Sequence, residues 1–190
     1  MIYLVRHGQT DWNKLKKLQG QTDIPLNETG KQEALSVANS LNNIPLEQII
    51  SSDLSRAVET AEIINKNFNL PLLKDHRLRE INYGDLEGKE RETLSPAVWE
   101  TFQNAPEKLN AEKLSDVYHR IKSFFDEVDL SKNTLIVTHG GALRLIMYYA
   151  KHKEMFDKKI YNQSFKDIMI QNATVLKWDE NTSVISKLFD

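Results

Sequence analysis

The sequence predicts an α/β fold in which helices cover both faces of a mostly parallel sheet, with an antiparallel strand at one edge. Short apolar runs alternate with segments of helical periodicity, the pattern of right-handed crossovers between parallel strands. A final pair of strand-like runs follows the last helical segment, which favours an antiparallel edge. A chain of 190 residues is long enough for one core. We therefore expect residues 1–190 to form a single domain, a three-layer sandwich.

The first strand and first long helix are predicted near the amino end. Residues 2–5 are continuously apolar and rich in strand-forming side chains, which indicates a buried strand before a polar loop that reaches about residue 26. Asn27 can cap the helix that follows, and Pro45 must end it. The expected inward stripe of this helix is Ala34, Leu35, Ala38 and Leu41.

A second strand and helix are predicted next. Residues 48–51 read as a strand, and Asp53 could cap the following helix, which Pro71 closes. Its apolar positions recur at spacings of three and four, and they are Leu54, Ala57, Val58, Ala61 and Ile64. Residues 72–88 are expected to be irregular or extended, and residues 89–110, with two prolines and weak helical patterning, to form a cover over an active site.

The second half repeats the strand and helix pattern. One helical stripe comprises Leu114, Val117, Tyr118, Ile121, Phe124, Phe125 and Val128. Residues 134–137 predict a third buried strand, and a helix with apolar positions at Leu143, Ile146 and Tyr149 follows it. The tail, residues 168–189, suggests a hairpin or a pair of edge strands around residues 179–181.

Composition excludes several classes of function. The formal net charge of −2 provides no long-range attraction for nucleic acid or acidic lipid, so neither is expected as a partner. No cysteine is present, which excludes disulfides, thiolate zinc sites and cysteine nucleophiles. No apolar run reaches the roughly 18 residues of a membrane span. We expect a cytoplasmic protein whose oligomeric state the sequence does not reveal.

Basic side chains follow all three predicted strands. Arg6 and His7 come directly after the first, Arg56 follows the second, and His139 follows the third. Ligands of open α/β sheets bind beyond the carboxyl ends of the strands, so these groups should meet in one crevice. Like charges gathered there without a carboxylate are costly unless an anion neutralises them. A phosphoryl group is the natural ligand, since it matches the arginine fork and the amino end of the helix after Gly140.

Two competing nucleotide motifs are absent. Residues 84–90, GDLEGKE, superficially resemble a phosphate-binding loop, but three residues instead of four separate the glycines, and a glutamate stands where Ser or Thr should bind magnesium. No Gly-x-Gly-x-x-Gly follows the first strand, which removes the dinucleotide signature.

The chain resembles the histidine phosphatase superfamily, also called the phosphoglycerate mutase-like family. Five of its motifs occur in family order and together span most of the chain. They are Arg6-His7-Gly8 with Thr10 and Asn13; residues 20–30, GQTDIPLNETG; residues 51–57, SSDLSRA, with Thr60 and Ala61; Leu78-Arg79-Glu80 with Gly84, Glu87 and Gly88; and residues 137–141, VTHGG. Only the segment near 89–133 and the tail lack strong motifs.

The resemblance implies a role for each matched residue. His7 would be the nucleophile that forms a phosphohistidine, and Glu80 the proton donor. Arg6, Arg56 and His139 would form the catalytic phosphate pocket, with Gly20 and Gly140 beside it. Asn13 and Gln19 would add polar contacts. The family needs no metal and no cofactor, and its partner would be a small phosphorylated metabolite.

The resemblance favours a phosphatase of the histidine acid type over a mutase. Mutases of the superfamily carry a longer chain with extra basic and tyrosine residues, whereas residues 83–88, YGDLEG, resemble the phosphatase form. Leu86 departs from the tryptophan of many such phosphatases, which leaves its role in leaving-group specificity open. Tyr83, Trp99 and Phe102 are candidate pocket walls or simple packing residues. The alternatives are phosphoglycerate mutase-type transfer, a specific α-ribazole phosphate phosphatase or sugar bisphosphatase, and a non-catalytic phosphoryl-binding module.

Overall fold

Six strands form one sheet in the computed structural model, which describes residues 1–129, 131–153, 155–179 and 182–188. The strands are Ile2–Arg6 (β1), Gln48–Ser51 (β2), Leu72–Lys74 (β3), Thr134–Thr138 (β4), Val175–Asp179 (β5) and Val184–Lys187 (β6). Their spatial order is β3-β2-β4-β1-β5-β6. The first four strands are parallel, and β5 pairs antiparallel with both β1 and β6. The predicted mostly parallel sheet with an antiparallel edge is confirmed.

Seven α-helices belong to the described part of the chain. They are Asp11–Lys14 (α1), Glu28–Ser40 (α2), Ser55–Asn65 (α3), Pro96–Asn104 (α4), Leu114–Glu127 (α5), Gly140–Lys151 (α6) and Lys158–Ser164 (α7). Short 3-10 turns at His76–Leu78, Gly84–Leu86, Arg91–Thr93 and Pro106–Leu109 connect β3 to α5. Within the described ranges, no helix combines the length and the apolarity that crossing a bilayer requires.

Alternate residues of the central strands face two separate cores. Ile2 and Leu4 of β1 point to the face covered by α5 and α6, while Tyr3 and Val5 point to the face covered by α2 and α3. This alternation follows from the two-residue period of a strand. Helices therefore cover both faces, which confirms the predicted three layers.

The sheet register brings the carboxyl ends of β1, β2 and β4 side by side at one end of the strands. Arg6 of β1 is level with Thr138 of β4, and Ser51 of β2 is level with Val137. The chain leaves the sheet at this edge with bonds from His7 N to Thr138 O, 2.9 Å, and from Ser52 N to Val137 O, 2.9 Å. The residues that follow each strand are consequently neighbours.

Two local predictions need correction. Leu35 is 42% exposed, because the inward stripe of α2 runs through Ala34, Val37, Ala38 and Leu41 at spacings of three and four, and Leu35 lies about a third of a turn from the centre of that stripe. Asp53 does not cap α3, because its carboxylate bonds to Arg79 at 2.7 and 2.6 Å. Asp23 takes its place and accepts from Ser55 N at 2.8 Å.

Other segments are more regular than the sequence pattern suggested. Leu72–Lys74 forms a short parallel strand beside β2, within a stretch expected to be irregular or extended. The segment 89–110 contains α4, which begins with Pro96 after a Ser95 cap. The sequence pattern did not predict the short helix α7. The two tail strands pair as predicted, while Glu180 and Asn181 of the predicted turn lie outside the described residues.

Candidate active site

A cavity of about 460 Å³ opens at the carboxyl edge of β1 and β4. Two groups of residues matter for its chemistry. The phosphate cradle consists of Arg6, His7, Arg56 and His139. The side wall consists of Tyr83, Arg91, Arg144, Met169 and Ile170. Glu80 also lines the cavity. The four basic groups predicted to converge from distant parts of the chain do come together.

The orientation of His7 leaves one ring nitrogen available in the cavity. His7 is 2% exposed, and its Nδ1 lies 2.7 Å from Gly8 O, a carbonyl that can only accept, so Nδ1 carries the proton. The neutral ring then has its lone pair on Nε2, to which no described residue donates a hydrogen bond. Burial, together with the charges of Arg56 and Arg6, holds the pKa of His7 well below its ordinary value. Folding therefore favours the unprotonated form that can attack phosphorus.

Arg56 and His139 are joined by a hydrogen bond and lie next to the His7 ring. Arg56 donates from Nη2 to Gly20 O at 2.7 Å, from Nη1 to Thr22 O at 3.0 Å and from Nε to His139 Nδ1 at 3.2 Å. Because His139 Nδ1 accepts, its proton is on Nε2, which lies 2.8 Å from Ser52 Oγ. Burial, reinforced by Arg56, holds the pKa of His139 well below its ordinary value.

His139 does not line the cavity in this arrangement. Its ring lies 5.1 Å from that of His7, centroid to centroid, and both of its nitrogens already have partners. The structure thus places His139 next to both His7 and Arg56, but in the layer beneath the surface that a substrate would touch, and not at the phosphate-contacting position that was predicted.

Arg6 supplies a second cation with spare hydrogen-bonding capacity. Its Nη1 donates to Ile170 O at 2.5 Å, whereas its buried Nε has no partner among the described residues. Gly140, the first residue of α6, lies against this guanidinium: a Cβ there would be 3.5 Å from Arg6 Nε. An unpaired buried donor is costly unless a ligand accepts from it. Arg6 therefore suits an anion placed beside Gly140.

Two amide side chains present their donors to the same space. Asn13 Oδ1 accepts from Thr10 N at 3.1 Å, and Gln19 Oε1 accepts from Thr10 Oγ1 at 2.9 Å. Since the amide oxygens are occupied, the NH₂ groups of Asn13 and Gln19 remain for a ligand. Both residues line the cavity, and Gly20 lies beside them.

Glu80 is attached to the amino end of α6. Its Oε1 accepts from Ile81 N at 3.0 Å and from Ala142 N at 3.0 Å, and its Oε2 accepts from Gly141 N at 2.9 Å. Oε1 thus uses both lone pairs, while Oε2 keeps one that can carry a proton. Glu80 forms no ion pair with its neighbours Arg77 and Arg79, which pair instead with Asp75 and Asp53.

Glu87 explains why two of the sequence motifs must occur together. It accepts from Gln21 N at 2.9 Å, Thr22 N at 2.9 Å and Tyr83 N at 3.0 Å, and also from the Thr22 hydroxyl. Gly20 has φ +55°, and a Cβ there would overlap the Glu87 carboxylate. Glu87 therefore fixes the loop whose carbonyls hold Arg56.

Arg144 of the side wall is a cation that the sequence analysis missed. It bonds to Tyr161, and its buried Nε has no partner among the described residues. Arg144 lies four residues after Gly140 and three after Gly141, so a helical turn puts it on the face of α6 that meets the cavity. That spacing could have identified it.

The remaining candidates divide between the side wall and the core. Tyr83 lines the cavity, whereas Trp99 and Phe102 pack together, with ring centroids 5.9 Å apart, outside it. Within the segment 89–110 only Arg91 and Glu92 reach the cavity. Leu86 is 1% exposed and belongs to the core, so this structure gives it no contact with the cavity.

Comparisons with known proteins agree with this geometry. Residues 2–189 match the model of the histidine phosphatase superfamily (branch 1). The chain is 36% identical over 151 residues to the uncharacterized phosphatase PhoE of Bacillus subtilis (strain 168), covering 77% of this chain and 75% of that protein. It is 37% identical over 155 residues to the probable phosphoglycerate mutase GpmB of Yersinia pestis (strain Pestoides F), covering 77% and 72%.

A solved structure with the same fold is a mycobacterial glucosyl-3-phosphoglycerate phosphatase complexed with VO3. It superposes with a TM-score of 0.79 at 28% identity, over 92% of this chain and 90% of that one. Sequence and structure lead to the same result. The chain belongs to the histidine phosphatase superfamily.

Proposed function

We propose that the protein is an acid-type phosphatase that hydrolyses a small phosphomonoester through a phosphohistidine on His7, without a metal ion. The observation that supports this proposal most strongly is that the free Nε2 of His7 shares a cavity with the guanidinium groups of Arg6 and Arg56. A nucleophile, charge stabilisation for the phosphoryl oxygens and a proton carrier are therefore present in one cavity.

The reaction takes two steps. The His7 Nε2 lone pair attacks phosphorus, the bond from phosphorus to the ester oxygen breaks, and that oxygen takes a proton from Glu80 Oε2. Water then attacks the phosphohistidine, Glu80 recovers a proton from it, and the bond from phosphorus to Nε2 breaks. The products are the alcohol and inorganic phosphate, and His7 regains its lone pair. Arg6 and Arg56 neutralise the oxygens throughout.

Turnover in the presence of chelator tests this proposal. The protein should hydrolyse p-nitrophenyl phosphate at mildly acidic pH with excess chelator, and His7→Ala should not. With a ³²P-labelled ester, an alkaline quench should retain label on the chain and an acid quench should release it, as the phosphohistidine bond requires. Activity that needs metal, or that survives His7→Ala, would contradict the proposal. Phosphate affinity without turnover would support the non-catalytic module instead.

The mutase alternative has a specific observation in its favour, the 37% identity to a probable phosphoglycerate mutase. A mutase must keep the dephosphorylated product and return the phosphoryl group to it. Interconversion of 2- and 3-phosphoglycerate, followed without accumulation of inorganic phosphate, would replace hydrolysis as the activity.

The side wall favours a leaving group with a second anionic substituent. Arg144 and Arg91 line the cavity in addition to the cradle cations, and neither forms a salt bridge with a described carboxylate. A sugar bisphosphate, or a phosphoglycerate derivative of the kind named for the mycobacterial neighbour, has such a substituent, whereas α-ribazole phosphate does not. A panel of metabolite phosphates compared by kcat/KM distinguishes these classes.

A further inference from the structure

The backbone that carries Glu80 is held mainly by one guanidinium, with one further hydrogen bond from Gln21 Nε2 to Glu80 O at 3.1 Å. Residues 79–83 form neither helix nor strand, so their carbonyls need partners from elsewhere. Arg120 of α5 donates from Nη1 to Arg77 O at 2.6 Å and Arg79 O at 2.8 Å, and from Nη2 to Glu80 O at 2.9 Å. One side chain thus satisfies three carbonyls around the proposed acid.

Glu112 fixes Arg120 from the opposite side. Its Oε1 accepts from Arg120 Nε at 2.9 Å and its Oε2 from Nη2 at 3.2 Å, a fork-to-fork pair. Oε2 also accepts from Asn82 N at 3.1 Å, and Glu112 N donates to Asn82 O at 2.9 Å. The side chains of Arg120 and Glu112 are only 15% and 18% exposed. The pair therefore forms hydrogen bonds with the backbone before Glu80, at Arg77 and Arg79, and after it, at Asn82.

We propose that the Arg120–Glu112 pair is a positioning device for the acid, and that it acts on catalysis through Glu80 without touching the substrate. The carboxyl of Glu80 is bonded to α6 through Gly141 N and Ala142 N, and its backbone is bonded to α5 through Arg120. Proton transfer depends steeply on such placement, because small displacements of a catalytic group are costly. This inference rests on the proposed function, in which Glu80 protonates the leaving oxygen.

Neighbouring ion pairs of the same type do not make this connection. Arg77 bonds through its side chain to Asp75 and Glu127, and Arg79 bonds to Asp53. None of these side chains donates to the backbone of residues 79–82. Arg77→Met is therefore a matched control, since it breaks ion pairs in the same segment and leaves the hydrogen bonds from Arg120 to the backbone around Glu80 intact.

The choice of leaving group separates positioning from general destabilisation. An alkoxide needs a proton as it departs, whereas p-nitrophenolate does not. The ratio kcat/KM reports only the steps up to phosphoryl transfer to His7, so later hydrolysis of the intermediate does not obscure the comparison. We expect Arg120→Met to lower kcat/KM about 100-fold for an alkyl phosphate, with a far smaller loss for p-nitrophenyl phosphate. Arg120→Lys keeps the charge but not the fork, and should show the same selective loss. Arg77→Met should resemble the unmodified protein on both substrates.

Glu80→Gln provides the reference for each outcome. If Glu80→Gln shows the selective loss and the Arg120 variants lose both activities equally, or neither, the positioning role is overturned while the proposed function stands. If Glu80→Gln itself loses both equally, Glu80 is not the acid, and the proposed function fails together with the inference. Should Arg120→Met fail to fold, Glu112→Gln, which keeps the shape of the pair, must show the selective loss, and an equal loss there overturns the inference.

Discussion

The phosphate cradle and the side wall share one cavity but are built from different parts of the fold. The cradle comes from Arg6 at the end of β1 and from residues that follow β1, β2 and β4, and the register of the sheet brings these strand ends side by side. The side wall comes from α6, the 3-10 turns before α4 and the tail before β5. Chemistry that needs sub-ångström placement thus rests on the sheet, while the part that meets the leaving group rests on connections, which tolerate change.

The largest effect is expected when the nucleophile of the phosphate cradle is removed. Substituting His7→Asn should lower the hydrolysis of p-nitrophenyl phosphate by about 10⁴-fold or more, because the covalent route is removed entirely. Initial rates at saturating substrate measure it. His119→Asn, at an exposed histidine outside the cradle, is the matched control and should keep full activity. A His7→Asn protein within tenfold of the unmodified rate would show that some other group attacks phosphorus.

The second prediction displaces Glu80 without changing a charge. A Cβ at Gly141 would overlap Glu80 Oε1 and lie 2.8 Å from Ile81 Cδ1, so Gly141→Ala must move the carboxyl away from the amino end of α6. We expect kcat to fall about 100-fold for an alkyl phosphate, the share of general acid catalysis. Gly140→Ala is the comparison, since its Cβ would meet Arg6 at 3.5 Å, an ordinary contact, and its loss should be smaller. The reverse order of the two losses would disprove this placement of Glu80.

The same division between sheet and connections explains what the sequence could predict. Arg6, His7 and His139 each follow a strand that local apolar patterning identifies, so their convergence could be inferred before any coordinates. Glu80 came from motif resemblance, and no local pattern shows that its carboxyl binds the amino end of α6. The strand Leu72–Lys74 was predicted only as part of an irregular or extended stretch, because three residues carry too little periodicity to identify a strand.

The side wall was harder to predict because it depends on long-range folding. Arg144 could have been found from its spacing after Gly140, but Ile170 becomes part of the cavity only because its carbonyl binds Arg6 across most of the chain. Trp99 and Phe102 were reasonable pocket candidates by residue type, yet α4 directs them to each other and to the core. Residue type alone does not separate a pocket wall from packing.

The third prediction concerns the side wall alone. Arg144→Met should lower kcat/KM about tenfold for a phosphomonoester with a second anionic group, since one hydrogen bond to a charged group is lost. Hydrolysis of p-nitrophenyl phosphate, which has no such group, should change much less. Comparing the two substrates on the same preparation removes the error of active-enzyme concentration. Equal losses on both would place Arg144 in the cradle's chemistry instead of in leaving-group recognition.

The smallest expected effect is a pH dependence of stability that arises in the cradle. Burial lowers the pKa values of His7 and His139 in the folded chain, while in the unfolded chain they return to the ordinary 6.5. Between the lowered values and 6.5 the unfolded chain binds more protons, so the stabilisation is complete above 6.5 and is lost as the pH falls below it. The free energy of unfolding should therefore decrease as the pH falls from about 7 to about 5, and both histidines contribute to that decrease.

Urea unfolding in buffers without phosphate measures this slope, and His7→Asn should make it shallower. The lowered pKa values of Asp53 and Asp75 place their own losses below the ordinary 3.8, outside this window. Inorganic phosphate should restore part of the lost stability at the lower pH, because an anion in the cradle stabilises the charged imidazolium of His7. A slope that neither His7→Asn nor phosphate alters would mean that groups outside the cradle set the acid limit of the fold.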